Sequence, residues 1–130
     1  MKASTEGEIG DAFATLPELR AGALLVGTGE LFRRQPELIP ALAARQQMPT
    51  MYQYREFVAV GGLISYGMSL TDAYRLTGVY TGLVLHGEKP ADLPALRPTK
   101  FELVINLKAA KTLVLSIPPG VLAIADEVIE

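Results

Sequence analysis

The sequence predicts an α/β domain with a mostly parallel sheet flanked by helices, and two observations carry that prediction. Ala21-Gly22-Ala23-Leu24-Leu25-Val26 is a short apolar run closed by Gly27, the pattern of a parallel strand buried on both faces. Two Ser/Thr-x-x-acid capping boxes, Thr5 to Glu8 and Ser69 to Asp72, each open a segment with apolar residues at helical spacing. Strands alternating with helices of this length form βαβ units.

Taken in order, Ile9, Ala12, Phe13 and Leu16 fall on one face of a first helix, which Pro17 stops. After the Ala21–Val26 strand and a Gly27–Glu30 turn, residues Leu31–Gln46 read as a helix broken or kinked at Pro36 and Pro40, with Leu38, Ile39 and Leu42 facing the core. Pro49–Tyr54 reads as a second strand. Gly61-Gly62 marks a sharp backbone change before a third short strand, Leu63–Tyr66. The longest helix runs from Ser69 to about His86, with Ala73, Leu76, Tyr80, Leu83 and Val84 on its inner side and Gly87 just past its end. A proline-rich connection, Glu88–Pro98, leads to a strand at Phe101–Ile105, a short helix near Leu107–Leu113, and a last helix opening at Pro118-Pro119. That last helix is expected to bury Val121, Leu122, Ala125, Val128 and Ile129. The chain opens on a helix and only three or four strands follow, so one sheet edge is expected to be bare. Such an edge suits a fragment, or a chain that pairs with another in a homodimer.

With 130 residues, 49% of them apolar and 20% charged, the chain can build one ordinary core. A net charge of −2 gives no electrostatic footprint for nucleic acid or anionic lipid. No cysteine is present, which excludes disulfides, thiolate catalysis and Cys-based zinc sites. The single histidine, His86, sits at a helix C-terminus, where it complements the macrodipole. No carboxylates stand at metal-ligand spacing, so no metal or cofactor is expected. Asp126, Glu127 and Glu130 read as a solvated helix face. After Met1-Lys2 the chain continues with polar residues, so no signal peptide is expected within it.

Enzyme motifs fail on inspection. Gly27-Thr28-Gly29 lacks the third glycine of a dinucleotide fingerprint, because position 32 is Phe; it reads as a tight turn. Its placement after a strand is nonetheless where open α/β sheets bind ligands. Gly62-Leu63-Ile64-Ser65-Tyr66-Gly67 misses the nucleophile elbow, which needs glycine at position 63. The chain is therefore expected not to be an enzyme. Tyr52, Tyr54, Arg55, Glu56 and Phe57 cluster just past a strand end. One reading packs Tyr52 in the core and pairs Arg55 with Glu56 on the surface. The other has a loop presenting an aromatic wall and a charge to a small ligand.

The order of motifs carries a resemblance. Met48–Val58 (Met-Pro-Thr-Met-Tyr-Gln-Tyr-Arg-Glu-Phe-Val) runs into Gly61–Gly67. Gly87–Pro94, Pro98–Asn106, Ile117-Pro118-Pro119 and Ala125–Ile129 follow. From about Ser4 to Glu130 this resembles the C-terminal half of the ABC transporter substrate-binding family whose better-known members bind aromatic amino acids. The resemblance implies part of a type I periplasmic-binding fold, two α/β lobes with a ligand between them. Residues 1–60 would form part of the C-terminal lobe, 61–97 a crossing segment and helix completing the N-terminal lobe, and 98–130 the return crossing and C-terminal helices.

By position in that fold, the implied ligand-binding residues are Thr28, Glu30, Phe32, Tyr52, Arg55, Ser65 and Tyr66. The implied function is the solute-binding component of an ABC-type importer, holding a small molecule such as an amino acid. The partner would be a permease, and the full-length protein would be periplasmic or extracytoplasmic. The alternative is a truncated, non-binding domain that self-associates through its open sheet edge. The sequence departs from the family pattern in three places. The Asp that relatives often carry after the first strand is missing, with Glu30 nearby; Ala95-Leu96-Arg97 replaces a more polar stretch; and Val114 stands where glycine is usual.

Overall fold

The computed structural model describes residues 3–96 and 99–130. Met1-Lys2, Arg97 and Pro98 lie outside the described residues, and with them parts of the Ala95–Arg97 departure and of the return crossing. The chain divides into two compact units, Met1–Gly67 with Glu102–Glu130, and Met68–Phe101.

The first unit is built on five strands in the order β1 (Leu24–Leu25), β2 (Thr50–Tyr52), β3 (Ile64–Met68), β4 (Phe101–Asn106) and β5 (Glu127–Ile129). β1 pairs with β2, β2 with β3, and β4 with β5, all in parallel. Between β3 and β4, the Asn106 amide donates to the Leu63 carbonyl (2.9 Å) and the Ser69 amide to the Lys100 carbonyl (3.0 Å). The end of each strand thus meets the start of the other, and this pair is antiparallel. The carboxyl ends of β1, β2 and β3 therefore share one end of the sheet with the starts of β4 and β5.

Six helices accompany the sheet in this unit: α1 (Glu6–Thr15), α2 (Glu30–Arg33), α3 (Leu38–Arg45), α4 (Arg55–Ala59), α6 (Leu107–Thr112) and α7 (Pro119–Ala123). Thr5 caps α1 by accepting from the Glu8 amide at 3.2 Å, while the Glu8 carboxylate turns back to the Ser4 amide at 2.7 Å. Ile9, Phe13 and Leu16 from α1 meet Ile39 and Ala43 from α3, together with Tyr52, Phe57, Val58 and Val104, in one buried cluster. The Tyr52 and Phe57 rings stack with centroids 5.1 Å apart. That contact adds to the roughly 1.5–3 kcal/mol gained by burying each large apolar side chain.

The second unit holds α5 (Leu70–Leu85) and a 3-10 turn at Pro90–Asp92. Ser69 caps α5 by accepting from the Asp72 amide at 3.4 Å, and the Asp72 carboxylate bonds Arg75 rather than closing the box. At the other end Glu88 donates to Leu83 and Gly87 to Val84, with Gly87 at φ +102. This is the Schellman arrangement that the glycine permits. The Tyr80 hydroxyl donates to the Pro94 carbonyl at 2.7 Å, holding the proline-rich connection against the helix.

The structure corrects several expectations. The first strand is not buried on both faces. Only Leu24 and Leu25 are in strand geometry, and Leu25 is 71% exposed, because β1 is a sheet edge. The segment after Gly29 does break around Pro36, as expected, because the missing proline amide cannot join an α-helical ladder. Pro40 is tolerated because it lies in the first turn of α3, where amides have no partner inside the helix. The expected loop at Arg55–Phe57 is the start of α4. On α5 no residue is fully buried, and Leu83 and Val84 are exposed. The last helix ends at Ala123, and Glu127–Ile129 form β5. Asp126 explains that change. Its carboxylate accepts from the Leu103 amide (2.7 Å) and its own amide donates to the Leu103 carbonyl (2.9 Å), fastening the chain to β4.

Candidate functional site

The end of the sheet where β1, β2 and β3 terminate gathers most of the predicted residues. β1 delivers Thr28, which is exposed, and Glu30, the first residue of α2. Glu30 accepts from Arg34 at 2.9 Å and from Arg33 through both of its oxygens at 2.9 Å. These bonds, that to Arg34 first, hold its carboxyl below the usual carboxylate range. Glu30 is thus occupied by its own helix. Phe32 is half-buried against the core and lines an apolar pocket of about 140 Å³ with Phe13, Leu24, Gly27 and Ile39.

β2 and β3 place Tyr52 beside Ser65 in register. Both are 1% exposed, so these two residues lie beneath the surface. Burial pushes the Tyr52 phenol up to about 12. The geometry gives Tyr52 a core role, stacked on Phe57, and not that of an aromatic wall open to solvent. The Ser65 hydroxyl is buried with no hydrogen-bond partner among the described residues. The next residue along β3, Tyr66, is 53% exposed at the sheet end.

Arg55 does not pair with Glu56. It forms an ion pair with Glu127 at the start of β5, 72 residues away, and both side chains remain about half exposed. Glu127, then Glu102 and Glu56, raise the Arg55 guanidinium above its already high value. The sequence gives no local signal for the Glu127 pairing, because its partner is brought in by the antiparallel turn of the sheet.

Gln53 also goes unmarked in the sequence. Its Oε1 is buried without a hydrogen-bond partner. A side chain at Gly67 would fall on the Gln53 carbonyl oxygen, so glycine alone permits this close approach of β2 and β3. Gly62 is equally constrained, since a Cβ there would lie 2.6 Å from the Phe57 carbonyl oxygen. Among the described residues no group of His, Asp and Glu is arranged to hold a metal ion, and no helix is long and apolar enough to cross a membrane.

Residues 23–129 match the family of ABC transporter substrate binding proteins. The chain belongs to this family. No curated protein matches it in sequence. Among solved structures, a conserved domain protein from Vibrio cholerae superposes with a TM-score of 0.87 at 23% identity, over 98% of this chain and 43% of that one. The ABC domain from Streptococcus pneumoniae in complex with L-Trp gives 0.83 at 29% identity, over 95% of this chain and 42% of that one. A ligand-free, open substrate-binding protein with adhesive properties from Clostridium difficile gives 0.65 at 20% identity, over 98% and 42%. This member of the substrate-binding family thus spans less than half the length of the solved relatives it matches, and it has their α/β fold across nearly all of its length.

Proposed function

We propose that the chain is the C-terminal part of the solute-binding component of an ABC-type importer, and that it contributes one wall of a small-molecule site. The observation that carries the reading is the family match over residues 23–129, joined to a sheet end that collects exposed Thr28, Arg55 and Tyr66. Loops at the carboxyl ends of parallel strands are where open α/β sheets receive ligands. That the S. pneumoniae relative holds L-Trp supports an amino acid as the solute.

The solute lies between this sheet end and the part of the protein that the relatives possess beyond the span matched here. Contact with both walls stabilises a closed state by hinge motion. A permease reads that state, and the whole protein works outside the cytoplasm. Glu30 and Phe32 border the site from β1, while Tyr52 and Ser65 support it from below. The site binds a solute and performs no catalysis.

A thermal-shift screen of the intact, two-walled protein with amino acids and small carboxylates tests this. A bound solute at about ten times its Kd raises the midpoint by about 5 °C or more. No shift with any of them up to millimolar concentration would rule out an amino-acid role.

A second reading rests on β1. Its outer edge is unpaired among the described residues, with Leu25 exposed. On that reading the chain is a non-binding domain that dimerises edge to edge. Analytical ultracentrifugation separates the two: the solute-binding reading requires no concentration-dependent dimer.

A further inference from the structure

We propose that Arg55 and Glu127 form a latch that recognises the two charges of an amino-acid zwitterion, the α-carboxylate taking Arg55 and the α-ammonium taking Glu127. The inference rests on the solute-binding reading above and specifies the chemistry of that same site.

The two residues come from elements 72 positions apart and meet at the sheet end. Both are about half exposed, so a solute reaches them without unfolding anything. An exposed ion pair is weakly held, and opening it costs little. A zwitterion inserted between them replaces one charge-assisted contact with two, and each charged group keeps an opposite partner. The arginine fork suits a carboxylate, which it grips through two N–H donors.

The surrounding charge selects for both ends of the ligand. Arg55 pairs with Glu127, and the negative charges of Glu102 and Glu56 add to the field that favours its charged form. A simple carboxylic acid takes Arg55 but leaves Glu127 without its cation. A simple amine meets the guanidinium already seated there. Only a solute carrying both charges satisfies the set.

Gln53 is a second polar residue at the carboxyl end of β2. Two residues before Arg55, it carries a buried Oε1 that accepts no hydrogen bond. The exposed Tyr66 ring on β3 offers a flat surface for the solute's side chain.

The test is a titration of the ¹⁵N-labelled 130-residue chain, followed by NMR, with L-tryptophan, tryptamine and 3-indolepropionate. L-Tryptophan is expected to shift the Arg55 side-chain and Gln53 amide signals, and to bind at least about tenfold more tightly than either analogue. Arg55→Met and Glu127→Gln are expected to erase that preference, while Arg55→Lys retains part of it. If the three compounds bind equally, solute binding stands and the latch falls. If L-tryptophan is preferred but neither substitution changes the preference, the assignment to Arg55 and Glu127 is overturned. If none of the three shifts any signal up to millimolar concentration, the latch falls, because a wall that carries both charged contacts binds the zwitterion weakly even without the opposite wall.

Discussion

Val114 shows how a single residue can carry a cost that its neighbours reveal. It lies just past α6 at φ +54, a left-handed conformation that a β-branched side chain adopts only under strain. It is also 89% exposed, so the side chain gains little from packing. Glycine adopts that backbone angle freely. Val114→Gly is expected to stabilise the chain by about 1 kcal/mol, read from the midpoint of urea unfolding. Tyr52 gives a second prediction at this scale. Its phenol titrates near 12 in the folded chain, against about 10 when unfolded. The neutral form is the one that folding favours, so the Tyr52 contribution is complete below pH 10 and is lost as pH rises towards 12. Tyr52→Phe is expected to flatten the stability profile across that window, as followed by circular dichroism. The phenol's burial was one of two readings of the Tyr52–Phe57 cluster, and strand alternation alone does not say which face a helix will cover. Arg55 was legible as a charge at a strand end, whereas its partner Glu127 was not, since their pairing depends on a 72-residue connection.

Among the elements, those set by local chemistry were the legible ones. The caps at Thr5 and Ser69, the Gly87 terminus and the break around Pro36 each follow from a side chain acting on its own backbone. The elements that differ are set by distant pairing. β5 looked helical because Val121, Leu122, Ala125, Val128 and Ile129 also fit a helical period, and only the Asp126–Leu103 bonds decide for a strand. β1 looked buried because an apolar run cannot announce that its outer neighbour is missing. Glycines in different elements make a sharp contrast. Gly67→Ala places a methyl group on the Gln53 carbonyl, and about 1–3 kcal/mol of destabilisation is expected. Gly78→Ala in α5 meets nothing within 4 Å, and a gain of about 0.5–1 kcal/mol is expected. Chemical denaturation of the two variants side by side checks both signs.

At the scale of the whole molecule, the fold class was legible because alternating strand and helix patterns are local, while the antiparallel step between β3 and β4 was not. That step brings the starts of β4 and β5, and with them Glu127, to the end where β1–β3 finish. The seven site residues read from the sequence then separate into exposed Thr28, Glu30, Arg55 and Tyr66, half-buried Phe32, and buried Tyr52 and Ser65. The central claim is that this sheet end receives the solute. Mapping amide shifts over the whole chain during titration with L-tryptophan tests it most directly. The account predicts changes clustered at Thr28, Gln53–Arg55, Tyr66–Gly67 and Glu127. Changes clustered instead around Met48, Ala109 and Leu113, which line a pocket at the opposite end of the strands, would contradict it.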